Sequence, residues 1–316
     1  MPVSQEILVS ENGVSLTVRR EDLIDAEIPG NKFRKLKYNL DQARSQGKKL
    51  LLTFGGAYSN HIDAVAAAGK RFGLETVGII RGEELVEKIV ENPTLSHAAA
   101  NGMRLKFVTR AEYKLKNSKA FLDRLEKEFG EFYLLPEGGT NELAVKGCEE
   151  ILTGDDAKFD YICCAVGTGG TLAGLINSSK AEQMVLGFPI LKADLRADVS
   201  KWTTRINWEL IAGYEFGGYG KVDGRLIQFI NGQMKQNSLP LDPIYTGKML
   251  FGVMDLISTG YFREGSMILA IHTGGLQGIE GINRQLQIKN LPIIEINDKE
   301  NFPAGPCDDR TQLFKQ

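Results

Sequence analysis

The sequence is short of the residues that most often announce a chemistry. Its 316 residues hold only three histidines, four cysteines and two tryptophans. His61, His97 and His272 form no HExxH pair, so no histidine-built metal site is expected. Cys148, Cys163, Cys164 and Cys307 contain no CxxC, which argues against both a zinc-ligand pattern and a disulfide framework. Such cysteines are usually buried structural residues. No apolar run reaches the ~18 residues of a membrane span, and the start, MPVSQEILVSENGV, lacks the basic, apolar and small-residue regions of a signal peptide. Excess charge of one sign is also missing. Against 38 Lys plus Arg stand 40 Asp plus Glu, a net charge of −2, with no basic run to neutralise several nucleic-acid phosphates. A soluble cytoplasmic protein with no nucleic-acid or membrane partner is the expectation.

Glycine, by contrast, is abundant at 35 residues. Many glycines follow apolar runs that read as strands: Gly55-Gly56 after KLLLTF, Gly138-Gly139 after FYLLPE, Gly167, Gly169 and Gly170 after YICCAV, and Gly274-Gly275 shortly after LAIH. Between them the helical period recurs in Phe33, Leu36, Leu40 and Ala43, in Ile62, Val65, Ala66, Gly69 and Phe72, in Phe121, Leu122, Leu125 and Phe129, and in Leu226, Ile230 and Met234. Apolar strands alternating with amphipathic helices indicate an α/β protein with open, mostly parallel twisted sheets and helices on both faces. Ligands of such sheets bind at the carboxyl ends of the strands, where the glycines fall. The polar stretch from Thr153 to Lys158 is the best candidate for a boundary, and Leu191 to Lys221 has no clear period.

Three segments carry candidate chemistry. Gly167-Thr168-Gly169-Gly170-Thr171 would aim backbone N–H groups at a phosphate from a helix N-terminus, unless it is a plain strand-to-helix turn. It has neither the GxGxxG nor the GxxxxGK[ST] spacing, so a monophosphate suits it better than a nucleotide. In Gly30-Asn31-Lys32-Phe33-Arg34-Lys35-Leu36, Asn31 reads as a helix cap, and Lys32 beside the positive helix end would have the depressed pKa that Schiff-base chemistry needs. The alternative is a solvated basic helix start, the reading given to Lys35 and Lys37. Tyr58-Ser59-Asn60-His61 offers good caps, and equally a cradle for a carboxylate.

In order along the chain, GNKFRKL, YSNH, AVGTGGTLAGL, DPIYTGK and HTGG resemble the motifs of the D-cysteine desulfhydrase and 1-aminocyclopropane-1-carboxylate deaminase family of pyridoxal phosphate enzymes. The resemblance runs from Ile28 to about Gly278. It implies the two-domain, tryptophan synthase β-like fold (fold type II), with a large cofactor domain of residues 1–48 and 153–316, a small inserted domain of residues 49–152, and a homodimer. It makes Lys32 the lysine that bonds pyridoxal 5'-phosphate and Asn60 the partner of the cofactor's 3-hydroxyl. Gly167, Thr168, Gly169, Gly170 and Thr171 would hold its phosphate, and Thr273 would face the pyridine nitrogen. Ser59, with the N–H groups of Asn60 and His61, would take the substrate carboxylate. Tyr219 and Tyr245 match two active-site tyrosines.

The sequence departs from the family at Tyr58, where glutamine is usual beside the carboxylate site, and in GGYGKVD, which lacks the usual Leu-Pro-Asn ending. Leu191 to Gly213 also looks divergent. Thr246 and Thr273 stand where the ring-opening branch of the family has glutamate and leucine. Neutral hydroxyls supply no carboxylate to hold a proton on the pyridine nitrogen, and a weaker electron sink suits a substrate with a good leaving group. Cysteine, whose thiol has a reference pKa of about 8.5, is such a substrate. The resemblance therefore implies a lyase that eliminates hydrogen sulfide from D-cysteine. The alternatives are deamination of the cyclopropane amino acid, or a phosphate-ligand-binding protein that has kept only the fold. His97 and His272 read as structural.

Overall fold

The apolar runs become strands of two sheets among residues 3–295, the part of the chain that the computed structural model describes. In chain order the strands are β1 (Val3–Val9), β2 (Ser15–Arg20), β3 (Leu50–Gly55), β4 (Glu75–Arg81), β5 (Arg104–Val108), β6 (Tyr133–Leu135), β7 (Tyr161–Val166), β8 (Met184–Pro189), β9 (Trp208–Leu210) and β10 (Met267–His272). The helices are α1 (Asn31–Ser45), α2 (Asn60–Phe72), α3 (Pro93–Ala100), α4 (Arg110–Lys114), α5 (Lys119–Phe129), α6 (Glu142–Cys148), α7 (Gly170–Ser178), α8 (Arg196–Ser200), α9 (Gly224–Asn237), α10 (Thr246–Ser258) and α11 (Ile279–Ile288).

The larger sheet has the order β1-β2-β10-β7-β8-β9 and the smaller β5-β4-β3-β6. Every pairing is parallel except that of β1 with β2. Sheets of this kind are covered on both faces, and β3 is accordingly buried at every residue. The smaller sheet takes its strands from Leu50 to Leu135 alone, whereas β2 and β10 lie side by side with His272 opposite Arg20. The two ends of the chain are thus joined in the larger sheet. The unassigned stretch from Leu191 to Lys221 supplies α8 and the short edge strand β9.

The helical stripes read from the sequence are the buried faces. Phe33, Leu36, Leu40 and Ala43 of α1 share one core with Ile62, Val65 and Ala66 of α2, and Phe121 and Leu125 of α5 pack with Phe54. Cys148, Cys163 and Cys164 are buried free thiols, while Cys307 lies outside the described residues. The buried carboxylate of Glu21 takes a hydrogen bond from Arg34 at 2.9 Å and so ties α1 to the end of β2.

Helix α1 also lies on α6 so closely that a Cβ on Gly147 would stand 2.0 Å from the carbonyl oxygen of Arg34. Backbone cannot yield there as a side chain could. We expect Gly147→Ala to destabilise the protein by about 2 kcal/mol or more, beyond the usual cost of overpacking one methyl, while Gly154→Ala, with open space around it, stays near neutral. Denaturant unfolding of the two variants checks this.

Candidate active site

Strands β3, β7 and β10 end on a common crevice, and helices α1, α2, α7 and α10 begin there. Its wall includes Asn31, Lys32, Lys35, Ser59, Asn60, His61, Gly138, Gly167 to Thr171, Tyr245, Thr273 and Gly274. Most of the residues singled out in the sequence therefore meet in one cavity, although they are spread over more than two hundred positions.

The start of α1 is fixed by backbone. Gly30 has φ +67°, and a Cβ there would lie 2.0 Å from the carbonyl oxygen of Thr273, so glycine is required by both conformation and space. The N–H of Asn31 donates to that same oxygen at 3.1 Å. Gly30, not Asn31, is consequently the cap residue, and Asn31 is the first residue of the helix. Its side chain is spent elsewhere: Nδ2 donates to Thr171 Oγ1 at 2.9 Å, and Oδ1 accepts from Lys32 Nζ at 3.0 Å.

Lys32 has its pKa lowered from 10.5 to about 7, chiefly by burial and next by the charge of Lys35. The depressed pKa expected from the helix end is present, but it comes from desolvation and a second lysine. Lys35 is not the solvated residue that its sequence suggests. It is 3% exposed, and its Nζ donates to the carbonyl of Gly138 at 3.0 Å and to Thr140 Oγ1 at 2.9 Å. Thr140 Oγ1 in turn lies 2.6 Å from Thr168 Oγ1, so the amine reaches the glycine loop through one hydroxyl. The signal was available, since residues three apart share a helix face. Lys37, also read as solvated, bonds Glu150 at 2.8 Å.

Two positions of the glycine loop are held to glycine. Gly169 is left-handed at φ +82°, and a Cβ on Gly170 would meet the Thr140 side chain at 2.7 Å. Behind the loop, α7 runs nine residues from Gly170, leaving its first N–H groups directed at the cavity. Ser59 caps α2 by accepting from Ile62 N–H at 3.3 Å while lining the wall. His61 is buried. The Thr53 hydroxyl donates to the carbonyl of Leu135 at 2.9 Å, so its oxygen accepts from His61 Nε2 at 2.9 Å, which assigns the ring proton to Nε2. Nδ1 is left buried with no partner. Burial and the nearby lysines push the imidazole pKa well below 6.5, so the ring is neutral.

Three expected residues stand back from the wall. Tyr219 is half-exposed, with its ring centroid 6.3 Å from that of Tyr245, edge to face. Tyr245 itself lines the cavity, and burial and Tyr219 hold its phenol protonated well above pH 10. Thr246 is fully buried behind it, its hydroxyl donating to Asp242 Oδ2 at 2.6 Å. Tyr58 turns outward, with its ring so close to α11 that a Cβ on Gly281 would stand 2.6 Å from it. Thr273, in contrast, is at the wall. The other histidines are engaged elsewhere: His97 Nδ1 lies 2.5 Å from Asp63, and His272 Nε2 lies 2.7 Å from the carbonyl of Pro240.

Residues 3–274 match the family described as pyridoxal-phosphate dependent enzyme. The chain belongs to this family. A Pyrococcus horikoshii relative, provisionally named a 1-aminocyclopropane-1-carboxylate deaminase, is 32% identical over 85% of this chain and 86% of its own. The Arabidopsis thaliana bifunctional D-cysteine desulfhydrase/1-aminocyclopropane-1-carboxylate deaminase, mitochondrial, is 31% identical over 85% of this chain and 74% of its own. A solved structure described as an ACC deaminase homologue superposes with a TM-score of 0.78 at 28% identity, covering 91% of this chain and 93% of that one. The chain is therefore an enzyme with the fold type II architecture, and pyridoxal phosphate is its cofactor. No helix among the described residues is long and apolar enough to cross a membrane. The cavity fits the cofactor on its own terms: an amine half neutral near pH 7, a loop at a helix N-terminus whose Gly169 and Gly170 are held to glycine, and a buried imidazole nitrogen without a partner.

Because the positive charge of Lys35 holds down the pKa of Lys32, removing it should let that pKa rise. We expect Lys35→Met, in cofactor-free protein, to move the midpoint of Lys32 reductive methylation above its value near pH 7. Peptide mapping of the methylation rate against pH checks this, and an unchanged midpoint would leave desolvation as the sole cause.

Proposed function

We propose that this protein is a pyridoxal phosphate lyase that eliminates the β-substituent of a small amino acid, with D-cysteine as the first candidate and pyruvate, hydrogen sulfide and ammonia as products. The observation that carries the reading is the make-up of the cavity wall: among the described residues it offers amines, amides and hydroxyls and no carboxylate. Bound there, pyridoxal phosphate supplies an aldehyde to bond amines and an electron sink for the charge left when a Cα proton departs. A wall without a carboxylate does nothing to strengthen that sink, which suits a substrate carrying its own leaving group.

In this reading Lys32 would bond the cofactor, and its amine would take the substrate's Cα proton; a pKa about 7 leaves about half of it unprotonated at neutral pH. The loop from Gly167 to Thr171 would hold the phosphate with N–H donors, Asn60 would bond the ring hydroxyl, and Thr273 would face the ring nitrogen. Ser59 and the first N–H groups of α2 hold the substrate carboxylate. Tyr245, kept protonated, is the donor for the departing thiolate, with Tyr219 behind it. The work is divided between a cofactor domain of residues 1–48 and 153–316 and an inserted domain of residues 49–152, in a homodimer. Tyr58 and Thr246, the other two candidates for contact with substrate, do not line the cavity wall. Deamination of 1-aminocyclopropane-1-carboxylate is the second reading, favoured by the names of the relatives.

Product assays separate the two readings. We expect pyruvate from D-cysteine and β-chloroalanine to exceed 2-oxobutanoate from the cyclopropane acid by at least tenfold in kcat/KM, with L-cysteine and D-serine as stereochemical and leaving-group controls. The reverse ratio would overturn the lyase reading. Lys32→Ala should abolish turnover and the borohydride-reducible cofactor bond together. Gly170→Val should weaken cofactor binding about 30-fold, the equivalent of ~2 kcal/mol for a displaced set of charge-assisted hydrogen bonds, as read by cofactor titration.

A further inference from the structure

A buried cation outside the cavity wall has no role in the chemistry above. Lys248 of α10 is 1% exposed, yet among the described residues no carboxylate lies within ion-pair distance of it. Its Nζ donates instead to two carbonyls of one loop, those of Glu215 and Gly218, each at 2.9 Å. Burying an ammonium is costly unless its donors are used, so the contact needs a reason.

The loop it holds follows an improbable path. Phe216, Gly217, Gly218 and Gly220 have φ of +51°, +90°, +113° and +69°, and a left-handed Phe216 is itself strained. Two internal bonds, Gly218 N–H to Glu215 and Lys221 N–H to Gly218, use one lone pair of each carbonyl, and Lys248 takes the other. Tyr219 follows directly after the second of these carbonyls. Tyr245, the ring that Tyr219 packs against, lies three residues before Lys248, on the same face of α10.

We propose that Lys248 is a positioning residue for Tyr219: by clamping two carbonyls of the strained turn, that of Glu215 at its start and that of Gly218 directly before Tyr219, it sets the Tyr219 ring against Tyr245 beside the cavity. One helix thereby fixes both tyrosines, the first through its own backbone and the second through an ammonium. The catalytic value of this placement rests on the reading of the tyrosines given above; the clamp itself does not.

Hydrogen exchange on the holoenzyme tests the clamp without reference to turnover. In Lys248→Met, amides 216–221 should exchange at least tenfold faster than in wild type, with the amides of α10 and the cofactor absorbance unchanged. Equal loop exchange in the two proteins overturns the proposal. So does a wild-type loop that already exchanges at the rate of free chain, a result that needs no variant to fold. Tyr219→Phe, which leaves both carbonyls in place, should keep the loop protected. If that variant also keeps full turnover, the reading of Tyr219 fails while the clamp stands.

Discussion

The site depends on one backbone contact, the approach of Gly30 to Thr273. There the first helix of the chain meets the last strand of its sheet with no room for a Cβ, and the N–H of Asn31 closes the gap onto the Thr273 carbonyl. Because β2 and β10 are neighbours, this contact costs no long-range search once the sheet has formed. It sets the origin of α1, and with it the depth to which Lys32 and Lys35 enter the crevice. Arg34, between them, turns the other way, to the buried Glu21.

Depth converts into chemistry through desolvation. Two amines one helical turn apart, both removed from water, cannot both hold a proton cheaply. The pair resolves by division of donors: Lys35 has a carbonyl and a hydroxyl to satisfy its ammonium, whereas Lys32 has only the amide oxygen of Asn31. Lys32 is therefore the amine that gives up its proton near neutrality, chiefly because it is buried and next because Lys35 stands beside it. A solvated Lys35 would leave the nucleophile more basic and less often free.

Much of this was legible in the sequence because strand-then-glycine punctuation repeats with little ambiguity. The runs ending at Phe54, Val166 and His272 were read as strands opening on ligand, and that is where the crevice lies. What escaped reading depended on packing between distant segments. Lys35 looked like surface because nothing local says that Gly138 and Thr140, over a hundred residues away, will cover it. Thr246 and Thr273 looked alike as hydroxyls near a ring nitrogen, yet Asp242 claims the first from four residues upstream. Tyr58 precedes a capped helix start by one residue and is turned outward by it. Periodicity sees none of these, since each is decided by which partner arrives first at a polar atom.

With Thr246 withdrawn, the electrostatics of the cavity rest on fewer groups than the motifs suggested, and they lean one way. Four helices begin at the wall, and while the Thr273 carbonyl takes the Asn31 N–H of α1 and Asp242 takes the first N–H groups of α10, α2 and α7 bring partial positive charge to it. Lys35 adds an ammonium whose pKa burial lowers from its ordinary value. Asp242, the buried acid behind Tyr245, is spent on the N–H groups of Ile244, Tyr245 and Thr246 and on the Thr246 hydroxyl, which leaves it a helix cap. A cavity of this sign suits two anions at once, a phosphate at α7 and a carboxylate at α2, with the amine of Lys32 between them. The Lys35 charge that welcomes both anions also disfavours a proton on Lys32, adding to the larger effect of burial, so binding and nucleophilicity share one buried cation.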